Sequence, residues 1–175
     1  MTTKMQYPEG THFDALELLN PYTDKWAVRW IDGDTLCEET RQGKPTLEEV
    51  KALITAYFNA EADAEILSGF EWKGSKVWLS QENQLNYKAA FDLAMQLQGA
   101  HGTLPVTFKF GDETHPVYHE FKTIEELTEF YLSTVGYITQ TLAKYWLKKD
   151  AVKWASYEQQ APAEPQNNEN HEGRQ

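Results

Sequence analysis

The sequence predicts an α+β fold: short antiparallel β-hairpins packed on three helices, the last of them long, followed by a disordered C-terminal tail. Three observations point there. Apolar positions alternate with period two around turn doublets in three separate stretches, KWAVRWIDGDTLCEET, GFEWKGSKVWLS and PVTFKFGDETHPVYHEF. Three others, opening at Thr46, Ser80 and Thr123, space their apolar residues at helical intervals behind a capping residue. The chain is 41% hydrophobic and 13% aromatic over 175 residues, enough large apolar surface to bury one core.

The elements follow in order. Residues 1–25 scatter Tyr7, Phe13, Leu16, Leu18 and Leu19 among Pro8, Gly10, Asn20 and Pro21 with no sustained period, which reads as an arm that packs loosely or docks elsewhere. A single domain is expected over 26–157. It opens with Val28, Trp30 and Asp32 on one side of an extended chain and Ala27, Arg29 and Ile31 on the other, broken at Asp32-Gly33 as a type I′ hairpin turn. Thr46 and Glu49 form a capping box before a stripe of Leu47, Val50, Leu53, Ile54, Tyr57 and Phe58, with Gly69 as the stop.

The second hairpin turns at Lys73-Gly74. Ser80 then caps a helix whose core row is expected to be Leu85, Ala89, Leu93 and Leu97, widened by Ala90, Phe91, Ala94 and Met95 and ended by Gly99 and Gly102. The third hairpin turns around Gly111-Asp112. Thr123 and Glu126 repeat the capping box, and the stripe Ile124, Leu127, Tyr131, Val135, Ile138, Leu142, Tyr145 predicts a helix from 124 to about 150, roughly 40 Å long. Residues 158–175 offer Gln, Asn, Glu and Ala with no large apolar side chain, so a disordered polar tail is expected.

The charge narrows the function. A formal net charge of -11, from 27 acidic and 16 basic residues, repels phosphate backbones and anionic lipid, so direct nucleic-acid and membrane partners are not expected. The lone Cys37 excludes an internal disulfide and reads as a small hydrophobe on a strand. No apolar h-region opens the chain and no run is long enough to span a bilayer, so an intracellular protein is expected.

Candidate chemistry is sparse. Asp32-Gly33-Asp34-Thr35 is similar to a run in the thermonuclease-like fold, where the first Asp helps ligate calcium. The later Arg and Ile-Asp-x-Pro-Glu that complete that site do not follow; an amphipathic helix does. The run is therefore read as a turn, with a divalent-cation-dependent phosphodiesterase as the alternative. His115 and His119 are four apart on a strand, about 13 Å, too far to share an ion alone, and His101 stands apart from any ligand spacing. No Gly-x-Ser-x-Gly elbow, Walker loop or Gly-x-Gly-x-x-Gly is present, and no cofactor is expected. Trp72 and Trp78 flank a hairpin tip and give a second alternative, stacking on sugar rings. Gln81, Asn83, Gln84 and Asn86 open a helix, either bridging to the preceding hairpin or forming a polar recognition edge.

The stretch GFEWKGSKVWLSQENQLNYKAAFDLA resembles the shared part of a domain of unknown function in bacteriophage and prophage proteins, often in or beside tail-fibre genes. The pattern is an aromatic strand, Gly74 at the turn, a second strand, then Ser80-Gln81 with Asn83 or Asn86 opening an alanine-rich helix, and a further hairpin and helix, over roughly residues 65–150. Trp78 and the long third hairpin depart from it. The resemblance implies a non-enzymatic accessory protein of a tail or tail fibre, or its assembly factor, in the bacterial host cytoplasm or built into the virion. Its expected partners are tail components or further copies of itself. Besides Trp72, Trp78, Gln81, Asn83 and Asn86, the aromatics Trp146 and Trp154 are expected at such contacts, because partly buried Trp anchors interfaces.

Overall fold

The computed structural model describes residues 2–7, 12–97 and 103–158. Contacts group the chain into two compact units, one formed by residues up to Lys51 with those from Lys153 onward, the other by Ala52–Val152. Pro8, Gly10, Gly99, His101, Gly102 and the tail beyond Glu158 lie outside the described residues.

The first unit is built on a four-stranded antiparallel sheet. Its strands are β1 (Thr3–Gln6), β2 (Leu16–Asn20), β3 (Lys25–Asp32) and β4 (Thr35–Gln42), in the order β1-β4-β3-β2. Two strands thus fall within residues 1–25, the stretch read from the sequence as an arm that packs loosely or docks elsewhere. Thr3–Gln6 pairs with Thr35–Glu38 and Leu16–Leu18 with Trp26–Val28, supplying both edges of the sheet. Edge strands need only one covered face or none, and all of β1 is exposed, so neither leaves the alternation that identifies a half-buried strand. Arg29 ties the sheet together from the centre: Nε donates to Glu38 at 2.6 Å and Nη1 to Glu17 at 2.5 Å. The turn between β3 and β4 falls on Gly33-Asp34, one residue later than expected. Only Gly33 takes a positive φ, +60°, which is the type II′ pattern, not I′. Cys37 is fully buried on β4 as expected. After a 3-10 turn over Trp154–Tyr157, the Tyr157 hydroxyl donates to the Arg29 carbonyl at 2.5 Å.

Helix α1 (Leu47–Ser68) begins with the expected capping box. Thr46 N–H donates to the Glu49 carboxylate at 2.7 Å and Glu49 N–H returns to the Thr46 hydroxyl at 3.3 Å. Val50, Ile54, Phe58, Ala62 and Ile66 make one buried row at spacing four. The boundary between the units falls inside this helix, after Lys51.

In the second unit, β5 (Phe70–Trp72) and β6 (Ser75–Val77) form a hairpin whose turn residues Lys73 and Gly74 both have positive φ, +47° and +79°, as a type I′ turn requires. Helix α2 (Gln81–Gln96) is capped by Ser80, whose hydroxyl accepts from Asn83 N–H at 3.2 Å. The third hairpin, β7 (Val106–Gly111) and β8 (Pro116–Phe121), closes over Asp112, which accepts from the N–H groups of Thr114 and His115. Helix α3 (Ile124–Asp150) matches its expected span, with Thr123 as N-cap. Its ring-bearing hub is Phe130, fully buried, with Trp72, Tyr87, Phe110 and Phe121 all within 5.4 Å between ring centroids.

The faces of α2 and α3 differ from expectation. On α3 the buried positions are Leu127, Phe130, Thr134, Thr141 and Tyr145, so the core face is rotated by about one residue from the predicted stripe and Val135 is exposed. On α2 the buried residues are Tyr87 and Ala94, and the predicted core row is the outward one: Leu85 is 67% exposed, Leu93 50% and Leu97 47%, with Ala89 exposed between them. The opposite face wins because Tyr87 meets Phe130 and Phe108 at centroid distances of 5.0 and 4.6 Å, burying more area than any leucine of the row.

Candidate functional site

Between α2 and α3 lies a groove of about 370 Å³, walled by Leu85, Tyr87 and Lys88 on one helix and Tyr131, Thr134, Val135 and Ile138 on the other, with Gln81 and Gln84 at one end. Phe91 stacks on Tyr131 at 4.5 Å and holds the two helices together below it. The groove runs beside the exposed leucine row of α2. Leu132, 59% exposed, adds to the apolar surface on α3. Gly136 stands mid-helix there, and a Cβ placed on it would meet nothing within 4 Å among the described residues, so no contact with them accounts for a residue that weakens a helix.

The residues singled out from the sequence divide. Trp72 is 7% exposed and packs edge-on against Phe130, so it belongs to the core and its faces are not open to a sugar. Trp78 is half exposed. Asn83 donates from its amide to the Trp78 carbonyl and Gln84 to the Leu79 carbonyl, both at 2.8 Å, so these two bridge helix to hairpin. Gln81 and Asn86 are exposed, and Gln81 reaches the groove. Trp146 is half exposed on the last turns of α3. Trp154 lies in the other unit, its ring 6.2 Å from that of Tyr157. The expectation missed Leu85, Leu93 and Val135, because apolar residues at helical spacing are assigned to a core by default, and it did not single out Leu132, which lies off the predicted stripe.

Two carboxylates among the described residues of this unit are each held by more than one basic side chain. Lys73, on the β5–β6 turn, and His119, on β8, both contact the Glu126 carboxylate, at 2.6 and 3.0 Å. The Lys73 hydrogen bond, with help from His119, holds that carboxyl below its usual range against the opposing effect of burial. The second is Glu65 near the end of α1. Burial opposes its ionisation, but the Lys144 ammonium at 2.7 Å, the Tyr145 hydroxyl at 2.9 Å and the Lys148 charge outweigh burial and lower its pKa. A carboxyl depressed on folding contributes stability above its unfolded pKa of about 4.3, and that contribution is lost as pH falls through the folded value. Urea unfolding at pH 7 and pH 3 should therefore show a smaller acid-induced loss in Glu65→Gln than in the wild type.

Asp32 ends β3 and Asp34 is the second residue of the β3–β4 turn, where its carbonyl accepts from Tyr7 N–H at 3.0 Å. Among the described residues no three His, Cys, Asp or Glu side chains gather to hold a metal ion, and no helix is long and apolar enough to cross a membrane. His115 lies in the β7–β8 loop, its backbone held by Asp112, while His119 faces Glu126.

No curated protein and no solved structure matches this sequence. One family model does, over residues 49–166, well over half the chain and wider at both ends than the stretch whose pattern is familiar from the sequence. The match takes in α1 from Glu49 onward, the two small hairpins, α2 and α3, and so includes the whole groove and the leucine row beside it. This chain belongs to the family described as Domain of unknown function (DUF4376).

Proposed function

We propose that this chain is a non-enzymatic accessory protein of a phage or prophage, a tail or tail-fibre component or its assembly factor, that works by protein–protein contact through the α2/α3 face. The observation that carries the contact surface is the outward row Leu85, Ala89, Leu93, Leu97 beside the groove. Leucines held in water on a well-packed helix gain nothing from the fold that displays them, and a contiguous apolar patch on such a face is the usual mark of a binding site. The groove accepts side chains between Leu85 and Val135, as an amphipathic partner helix would offer them. The phage setting rests on the resemblance of residues 65–150 alone.

The test is affinity capture with the full chain from lysate of cells in which a prophage has been induced. Tail proteins should be retained by the wild type and lost with Leu85→Glu or Leu132→Glu. Retention that is absent, or unchanged in both variants, would contradict the reading.

A further inference from the structure

We infer that the groove between α2 and α3 binds a small uncharged molecule, an apolar body carrying one carbonyl oxygen that accepts a hydrogen bond from Tyr87. This goes beyond the contact reading above, which stands on the leucine row, and does not depend on it. The observation that carries it is a buried hydroxyl without a partner. Tyr87 is 3% exposed and its ring packs on Phe108 and Phe130, yet among the described residues its hydroxyl makes no hydrogen bond. The other buried tyrosines find one: Tyr145 donates to the Glu65 carboxylate at 2.9 Å and Tyr157 to the Arg29 carbonyl at 2.5 Å. Buried polar groups are paired as a rule, so an unpaired one marks a place where something else supplies the partner. Burial pushes the Tyr87 pKa up to about 12, which keeps the group an intact O–H and a donor at neutral pH.

The groove supplies the rest of the site. The Tyr87 hydroxyl is not sealed from solvent, and it opens where Tyr87 lines the groove. The neighbouring donors are already committed: the Gln84 amide to the Leu79 carbonyl at 2.8 Å, the Thr134 hydroxyl to the Phe130 carbonyl at 3.0 Å, and the Lys88 ammonium to Asp92 at 2.5 Å. Tyr87 is left as the free donor on the inner wall, with only the exposed Gln81 amide at the groove's end. Because Asp92 neutralises Lys88, a charged ligand would lose water here without gaining a partner, whereas a carbonyl oxygen needs just the one donor on offer. Leu85, Val135 and Ile138 face the apolar body. A volume of about 370 Å³ with few polar groups on mostly apolar walls is within the range of small-molecule sites.

Titration of the full chain with acetophenone, followed by amide chemical shifts, tests this beside two probes of similar size, ethylbenzene without the oxygen and benzoate with a charge. Acetophenone should shift residues of α2 and α3 around the groove and bind more tightly than either of the others. Tyr87→Phe keeps the ring and should melt no lower than the wild type, since the hydroxyl has no internal bond to lose. It should weaken acetophenone about fivefold and leave ethylbenzene unchanged. Val135→Trp, at a half-exposed position on the groove wall, should block acetophenone by filling the space. Failure of acetophenone to bind, binding indifferent to Tyr87→Phe or to Val135→Trp, tighter binding of benzoate, or a clearly lower melting temperature for Tyr87→Phe would each overturn the inference. Capture of tail proteins is read separately: its absence removes the contact reading and leaves this one standing, and failure of the probe does the reverse.

Discussion

Phe130→Ala should lower the unfolding free energy by about 3–5 kcal/mol, the largest loss expected from any single truncation in this chain, and drop the melting temperature by on the order of 10 °C. The ring is fully buried and receives Trp72, Tyr87, Phe110 and Phe121 from both hairpins and α2, so its removal leaves a cavity that no one element can collapse to fill. Leu132→Ala, two residues along the same helix but mostly exposed, should change stability by no more than about 0.5 kcal/mol. Urea unfolding of the two variants side by side measures the difference.

Gly69→Ala should destabilise by about 1–3 kcal/mol, for a steric reason and not a conformational one. Gly69 follows α1 without a positive φ, so the expected role as a left-handed helix stop is not the reason for glycine here. A Cβ would sit 2.2 Å from the Tyr137 hydroxyl oxygen and 2.7 Å from the Glu65 carbonyl oxygen. Those two atoms are themselves hydrogen-bonded at 2.9 Å, which fixes the end of α1 against α3. Tyr137→Phe removes the nearer obstacle, so in a double-mutant cycle the two substitutions should cost less together than the sum of each alone.

What was legible in the sequence was local. The capping box at Thr46, the Thr123 and Ser80 caps, the Lys73-Gly74 turn and the span of α3 each depend on residues within a few positions of one another, and are present as expected; at Thr123 only the cap bond forms, because the Glu126 carboxylate meets Lys73 and His119 instead of closing the box. The edge strands β1 and β2 were not legible: β1 is a strand through pairing with β4, more than thirty residues on, and β2, though next to β3 in the chain, carries no buried-exposed alternation. The faces of the helices were misjudged for a different reason. Hydrophobicity favours Leu85 and Leu93 over Tyr87, yet aromatic packing on Phe130 turns the helix so that of the expected row and its flank Ala94 is the buried member. On α3, Thr134 and Thr141 look like wet positions, but the Thr134 hydroxyl donates to the Phe130 carbonyl at 3.0 Å, which satisfies it inside the core. The amides of Asn83 and Gln84 were correctly paired with the preceding hairpin in one of their two readings. The candidate surface became visible only where a confident-looking apolar row failed to find the core.

The orientation of α2 is the claim on which the contact surface stands, and the stability of two variants measures it directly: Leu85→Gln/Leu93→Gln and Tyr87→Ala, each unfolded in urea at a protein concentration low enough that the midpoint no longer depends on it. With the leucines outward, the double variant should lie within about 1 kcal/mol of the wild type while Tyr87→Ala loses about 3 kcal/mol or more. A double variant that loses several kcal/mol while Tyr87→Ala is tolerated would put the leucine row in the core and contradict the account.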